Sequence, residues 1–507
     1  MNILEQIVER RRADIAALGW ALGADVPERR ERGPVVPFVA RKGVVLEIKR
    51  ASPSKGAIAP ELDAAAVAAQ YVAAGAGAIS VLTEPHWFGG SLDDLRAAAR
   101  AADDCSAMRG LPRIAILRKD FLIAPQEVEI AYRCGADAVL LIARILDTDV
   151  VCAMARECSE LGMTAFIELR SNDDLRKLAA VVRRVGAAHV VCGVNSRDLR
   201  DFSIDLLAPA RMLPEIHDAA GSAVHVVFES GIRTADAARF AGGLGFTGML
   251  LGEAAARSPS QAERLVSAFV HATRTANSRW WLEYAGKMRR GRAGAVSRPF
   301  VKICGITSLA DAQKAAGLGA DFLGFVFWEK SPRRADEETV RRISAGLRKS
   351  ADSPKLIGVV ADLHSADGEA ALRLLREGVL DAMQLHGCAD SFLAEQDAAL
   401  PHYAAVNLGD EEDLDKIDAL CSRGEPRVLL DAKTGLMPGG TGARIADALV
   451  DEAARKARLW LAGGITAENV RSVVERFQPE LIDVASGVEA APGKKDHARL
   501  EQLFACL

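Results

Sequence analysis

The stretch Val44–Gly56 reads V-V-L-E-I-K-R-A-S-P-S-K-G and sets Glu47, Lys49, Ser52 and Lys55 around one short apolar run. Side chains alternate between the faces of a strand, so Glu47 and Lys49 share a face that Val45 continues as apolar filling. Inside a barrel or sheet such a charge pair needs partners or a ligand, because an unpaired buried charge is costly. On an edge strand the same two residues would make a solvated salt bridge worth little. The S-P-S-K-G that follows combines hydroxyls, an ammonium and a glycine in a turn suited to an anion. What surrounds this strand decides between the alternatives.

Outward from it, short β-branched runs alternate with alanine-rich helical stretches from residue 44 to about 253, the pattern of consecutive βα units and a parallel sheet. Strands are expected near Val44–Lys49, Ala78–Thr83, Ile114–Arg118, Ala138–Ile142, Thr164–Glu168, His189–Val194, Val224–Glu229 and Gly248–Leu251. Eight units in about 210 residues match a closed (β/α)8 barrel. The polar residues fall at the C-terminal ends of several strands: Glu47 and Lys49, Lys119 and Asp120, Glu168, Asn195 and Arg197, then Glu229, Ser230 and Gly231. In such a barrel that end is where ligands bind and chemistry occurs. Loop charges placed by chance would not gather on one rim from so many units.

After a closing helix near Ser258–Thr273, residues 274–298 break the pattern with R-W-W-L-E-Y-A-G-K-M-R-R-G-R-A-G-A-V-S-R. Its glycines and basic residues predict an exposed connector, with Trp280, Trp281 and Tyr284 available to pack its first half onto a barrel. At Phe300 the alternation restarts, with strands at F-V-K-I-C, Phe322–Phe327, Leu356–Val360, Ala382–Leu385, His402–Val406, Arg427–Asp431, Leu459–Leu461 and Leu481–Val484. The chain therefore reads as α/β, two (β/α)8 barrels in tandem: residues 1–273 with an N-terminal helical extension, a linker at 274–298, and residues 299–507.

Half of the 507 residues are hydrophobic and the net charge is −4, which gives no support for nucleic acid or a membrane surface as partner. No apolar run reaches the roughly 18 to 20 residues of a membrane span, and the first residues form a charged amphipathic helix instead of a signal peptide, so a cytoplasmic location is expected. Nine scattered cysteines with no C-x-x-C argue against a disulfide framework. Gly243–Gly248, G-L-G-F-T-G, matches a dinucleotide fingerprint but precedes a strand, so the match fails on context. With no P-loop and no metal-spaced cluster, neither cofactor nor metal is expected.

In the second half Cys304 ends strand one, Ser331–Arg334 follows strand two, Gln384–Gly387 ends strand four, and Asp431 ends strand six. A thiol and a carboxyl on one rim can act as base and acid for a proton shift, while Cys304 taken alone equally fits a packed core thiol. Both halves close on glycine-rich tips: Glu229–Ile232 with Leu250–Glu253, and Ala462–Ile465 with Ala485–Val488. Glycines let backbone N–H groups approach a phosphate, and barrel phosphate sites follow strands seven and eight. Phosphorylated substrates are expected in both.

At these residues the first barrel resembles indole-3-glycerol-phosphate synthase, through L-E-I-K-R-A-S-P-S-K-G, R-K-D-F, F-I-E, G-V-N-S-R-D-L and E-S-G-I in the family's order. The second resembles phosphoribosylanthranilate isomerase, through K-I-C-G-I-T, K-S-P-R, D-A-M-Q-L-H-G, L-L-D-A-K, G-G-T-G, L-A-G-G-I and D-V-A-S-G-V-E. The resemblance implies a bifunctional lyase and isomerase of tryptophan biosynthesis, working on small phosphorylated anthranilate–sugar substrates with no obligatory protein partner. A histidine-pathway isomerase, the nearest other barrel pair, would use aspartates where this chain has Glu47 and Cys304.

By that resemblance the second barrel acts first, in an Amadori rearrangement. Asp431 would be the acid that opens the furanose and Cys304 the base at C2′; Arg333 would hold the anthranilate carboxylate, and Gln384 and His386 would face substrate. Gly463, Gly464, Ser486 and Gly487 would hold phosphate. The first barrel would then close the indole ring with loss of CO2 and water. Here Lys119 is the implied acid and Glu168 the base or charge stabiliser, with Glu47 and Asn195 positioning hydroxyls and lysines. Lys49 and Ser52 would supply charge and donors, Arg197 would meet the carboxylate, and Phe121 would wall the ring. Phosphate would sit against Ser230, Gly231, Gly252 and the N–H of Glu253, whose acidic side chain must point away.

Overall fold

The computed structural model describes residues 3–53, 56–197, 203–256, 258–290, 298–347, 353–389, 399–433 and 443–507. Lys55, the G-G-T-G run at 439–442 and the glycine-rich part of the connector at 291–297 lie outside the described residues. The chain divides into two compact units, Met1–Arg274 and Thr275–Leu507.

In the first unit the apolar runs become β1 (Gly43–Ile48), β2 (Ala78–Leu82), β3 (Ala115–Lys119), β4 (Ala138–Ile142), β5 (Thr164–Leu169), β6 (Val190–Asn195), β7 (His225–Glu229) and β8 (Gly248–Leu251). All pair in parallel, and β1 closes the ring by pairing with both β8 (Gly43 opposite Gly248) and β2 (Val45 opposite Ala78). No edge remains, so the solvated edge-strand reading of Glu47 fails: the residue is 4% exposed. The strands are buried almost throughout because helices cover the outside while Val45, Leu117, Leu140, Phe166, Val191 and Leu250 fill the inside. Asp63, Ser91 and Ser171 cap three of the outer helices with side-chain oxygens, satisfying N–H groups that the helix leaves orphaned.

Helix α1 (Ile3–Leu18) precedes the barrel. Its buried Arg11 donates to Glu127 (Nε, 2.9 Å) and Asp120 (Nη2, 3.1 Å), pinning the helix to the end of β3. That attachment brings Ile3, Leu4 and Ile7 to the barrel mouth.

The second unit repeats the architecture in β9 (Phe300–Cys304), β10 (Phe322–Phe327), β11 (Lys355–Val360), β12 (Ala382–His386), β13 (His402–Leu408), β14 (Val428–Ala432), β15 (Trp460–Leu461) and β16 (Leu481–Val484), closed by β9 pairing with β10 and β16. Of the two readings of the connector at 274–298, exposed or packed in its first half as a helix by its aromatic residues, the second holds for that half. Residues Ala276–Arg290 form helix α2 within the second unit, because Trp280, Trp281 and Tyr284 are buried, Trp281 completely. These rings pack on Trp460, Tyr403, Phe300 and Phe322, residues at the starting ends of their strands. Helix α2 thus covers the end of the barrel opposite Cys304. Glu480 fastens it by accepting hydrogen bonds from the Tyr284 hydroxyl (2.8 Å), Trp460 Nε1 (3.0 Å) and Arg427 Nε (2.6 Å).

Candidate active sites

The C-terminal mouth of the first barrel holds a cavity of about 240 Å³, lined by Glu47, Lys49, Ser52, Lys119, Phe121, Glu168, Asn195, Arg197, Ser230, Gly231, Gly252 and Glu253. Every residue expected to work in this half therefore meets in one space. Each arrives on the last residues of a strand or in the loop just after it, as the alternating pattern requires.

Charges at the mouth are interlocked. Lys49 Nζ donates to Glu47 Oε1 (2.7 Å), and Lys119 Nζ lies 3.4 Å from Glu47 Oε2 and 3.9 Å from Glu229 Oε2. Burial pushes the Glu47 carboxyl up, but the two ammonium groups outweigh it and hold Glu47 at about 2. Burial likewise opposes the charge on Lys119, yet Glu47, Glu229 and Glu168 raise it above its ordinary range. Glu229 goes the other way: burial, then the neighbouring Glu168 charge, push it well above the carboxylate range, and its Oε1 has no hydrogen-bond partner among the described residues. The mouth thus sets a cationic Lys119 beside an ionised Glu47 and a Glu229 carboxyl pushed toward its neutral form.

Glu168 accepts from Arg170 Nε (3.0 Å), and Asn195 Oδ1 accepts the Arg197 N–H (2.9 Å), which fixes both side chains. Asp120 sits behind Lys119, clasped by Arg118 (3.0 Å), Arg11 (3.1 Å) and Thr83 (2.6 Å). Phe121 stands with Phe88, ring centroids 5.9 Å apart, as an aromatic wall. At the glycine tips, Ser230 holds a left-handed φ of 69°, rare for a residue with a Cβ, and Gly231 follows at 80°. A side chain at Gly252 would meet Glu47 Oε1 at 2.8 Å and Lys49 Nζ at 3.0 Å, so the Lys49 cation lies directly beside that tip.

In the second barrel Cys304 and Asp431 end their strands at the same mouth, 8% and 7% exposed. Both feel the same buried pair, Lys302 and Asp483, joined at 2.6 Å. Burial first, and then the Asp483 charge, push the Asp431 carboxyl up to about 6. Burial also pushes the Cys304 thiol up, while Lys302 and Lys495 draw it down.

Three residues expected to face substrate are already engaged. Gln384 Oε1 accepts from Lys302 (2.5 Å) and Tyr403 (2.9 Å), and its amide nitrogen meets His386, whose imidazole is held neutral, at about 4, by burial and by Lys302. Arg333 donates through Nε and Nη2 to Glu489 (3.0 and 2.8 Å), which leaves Nη1 for another anion. At the expected phosphate tips, Gly463 and Gly464 take φ of 88° and 60°. A Cβ at Gly487 would strike the Ile465 carbonyl at 2.0 Å, so the tips after β15 and β16 abut.

Lys302, Asp483 and Glu489 were not singled out as site residues by the sequence, and Glu229 was marked only as a polar strand end on the rim. Lys302 stands two positions before Cys304, the spacing that paired Glu47 with Lys49, and that signal was available.

The family model for indole-3-glycerol phosphate synthase matches residues 4–267, and that for N-(5′-phosphoribosyl)anthranilate isomerase matches residues 301–505. The chain is similar to a tryptophan biosynthesis protein of Phytophthora nicotianae, 31% identical over 98% of this chain and 94% of the relative. It is also similar to the tryptophan biosynthesis protein TrpCF of Vibrio cholerae, 32% identical over 91% of this chain and 85% of that one. A crystal structure of phosphoribosyl anthranilate isomerase from Thermotoga maritima, 36% identical, covers 41% of this chain and 98% of its own, with a TM-score of 0.36. Two reactive barrel mouths on one chain and matches along nearly its whole length place it in the family of bifunctional indole-3-glycerol-phosphate synthase/phosphoribosylanthranilate isomerase enzymes of tryptophan biosynthesis.

Proposed function

We propose that Asp431 and Cys304 carry the isomerisation, and that Lys119, Glu168, Glu47 and Glu229 carry the ring closure. In the second barrel Asp431, whose carboxyl burial and Asp483 raise to about 6 so that it can carry a proton near neutral pH, gives that proton to the furanose ring oxygen, opening it to an iminium. Cys304 takes the C2′ proton as thiolate, and the enolamine formed tautomerises to the ketone. Arg333, steadied by Glu489, meets the anthranilate carboxylate with its remaining Nη1 edge, and phosphate binds between the tips at Gly463–Gly464 and Ser486–Gly487.

In the first barrel Lys119, cationic among three carboxylates, donates a proton at the ketone and later to the departing hydroxyl. Glu168, fixed by Arg170, is the base or charge stabiliser, and Glu229 joins the set as a neutral carboxylic acid beside Lys119. Lys49 and Ser52 supply charge and a donor next to the phosphate tips at Ser230, Gly231, Gly252 and Glu253; Asn195, Arg197 and Phe121 orient the aromatic carboxylate. The observation that carries the reading is the convergence of these groups on one mouth per barrel. Because one chain holds both mouths, the two steps call for no second catalytic chain.

The test follows the loss of anthranilate fluorescence and the rise of indoleglycerol phosphate absorbance with purified protein. Cys304→Ala and Asp431→Asn should each remove the isomerase step, on the order of 10²–10⁴-fold or more, and leave the synthase step intact; Lys119→Ala should do the reverse. Consumption of neither substrate by the unmutated protein would overturn the assignment.

A further inference from the structure

The second mouth contains a contradiction that its reactive pair alone does not resolve. The reaction needs Asp431 protonated and Cys304 ionised together, yet burial raises the thiol, so the wrong partner tends to hold the proton. A thiolate in this place needs a counter-charge.

Lys302 is that charge in position and in valence. It lies two residues before Cys304 on β9, pointing into the same barrel interior, and is completely buried. Gly324, on the neighbouring β10, shows how close the two side chains come: a Cβ there would meet Cys304 Sγ at 2.7 Å and Lys302 Cε at 3.0 Å. Sulfur and ammonium stem therefore crowd the same bare backbone. An ammonium has three protons to give. Gln384 Oε1 (2.5 Å) and Asp483 Oδ2 (2.6 Å) take two from Lys302, and its charge draws down both the Cys304 thiol and the Tyr403 hydroxyl.

The other ammonium nearby also draws the thiol down, but its hydrogen bonds go elsewhere. Lys495 Nζ is engaged by the Cys304 carbonyl (2.5 Å), the Ala485 carbonyl (3.1 Å) and Glu489 (3.0 Å), so its contacts brace the backbone of Cys304. The remaining groups around Lys302 and the thiol are Asp483 from β16, Gln384 and His386 from β12, Tyr403 from β13 and Asp431 from β14. Of these, Asp483 and Asp431 are acidic, Gln384 and Tyr403 neutral, and His386 an uncharged imidazole. Lys302 is the buried cation on the strand of Cys304 itself, on the face that the thiol shares.

We propose that Lys302 is a positioning residue for the isomerisation: clamped by Asp483 and Gln384, its ammonium steadies the Cys304 sulfur as an anion beside the substrate. This rests on Cys304 being the base. The clamp also explains why Gln384, expected to face substrate, turns inward.

The experiment measures alkylation of Cys304 by iodoacetamide against pH, read on its own peptide by mass spectrometry so that the other cysteines do not interfere. Lys302→Gln keeps a hydrogen-bonding side chain without charge; its profile should move at least about one unit to the alkaline side, with labelling near pH 8 on the order of tenfold slower. Lys302→Arg, which keeps a cation, should restore most of the rate. Asp483→Asn removes the charge that opposes the thiolate and should move the profile to the acidic side. Opposite displacements are something a merely structural role cannot produce. They also keep the test alive should Lys302→Gln fail to fold, which circular dichroism reports. Unmoved profiles, or displacements of the same sign, would overturn the proposal. Isomerase turnover of Cys304→Ser tests the base assignment separately: full turnover there sinks that assignment, whereas the alkylation profiles still report whether Lys302 governs the sulfur.

Discussion

Asp431 shows how a residue can work for chemistry and against folding at once. Its carboxyl is raised from an ordinary 3.8 to about 6 in the folded chain, so the folded state holds this proton more tightly than the unfolded chain does. Its stabilising effect is complete below the unfolded value and is lost as pH rises through about 6, leaving a deficit of about 3 kcal/mol at neutral pH. Asp431→Asn, which cannot ionise, should therefore raise the melting temperature of the second unit at pH 8, with the gain vanishing below pH 4, while isomerase activity is lost. Calorimetry at the two pH values checks this. The reactive atoms were legible in sequence because Cys304 and Asp431 interrupt apolar strands at their ends. Their charge environment was legible only in part: Lys302 stands two residues before Cys304, but its partner Asp483 comes from a strand nearly the whole half-chain away. Glu229 was visible as a strand end, but nothing in the linear order reveals that Glu168 and burial would keep it protonated.

At the scale of elements, the strands were readable to within a residue or so: Ala138–Ile142, Gly248–Leu251, Phe322–Phe327 and Leu481–Val484 come out with the expected bounds. Runs buried on both faces between glycine stops leave few alternatives. The glycines inside strands carried a second message. Gly193 and Gly324 stand where a Cβ would strike Glu229 Oε1 at 2.2 Å and Cys304 Sγ at 2.7 Å, so a bare position in a strand marks room kept for a reactive neighbour. The attachment of α1 was not legible, because Arg11 finds Asp120 and Glu127 more than a hundred residues away. Arg11→Leu should leave the buried Glu127 without its cation, with Asp120 still held by Arg118 and Thr83, and destabilise the first unit by roughly 3–5 kcal/mol. With one of the clasps on Asp120 gone and Ile3, Leu4 and Ile7 loosened from the mouth, synthase activity should fall more than tenfold while isomerase activity holds. The two assays on one preparation decide it.

At the scale of the whole molecule, two eightfold alternations of strand and helix were enough to read two rings. The join between them was harder, because a basic, glycine-bearing segment reads as solvated whether or not its aromatic residues find a surface. Helix α2 makes Thr275, and not residue 299, the start of the second unit. A fragment of residues 275–507 should fold and isomerise. A fragment of residues 299–507 bares the faces of Trp460, Tyr403, Phe300 and Phe322, loses burial of three large rings worth roughly 5 kcal/mol or more, and should aggregate. Size-exclusion chromatography of the two fragments tells them apart.

The aromatic floor under the second barrel has an optical consequence. Three of the chain's six tryptophans, Trp280, Trp281 and Trp460, lie within that floor. Shielded from water while the ring is closed and wetted when it opens, they give the isomerase half its own intrinsic emission signal, a red shift by which its melting can be followed apart from that of its covalent neighbour.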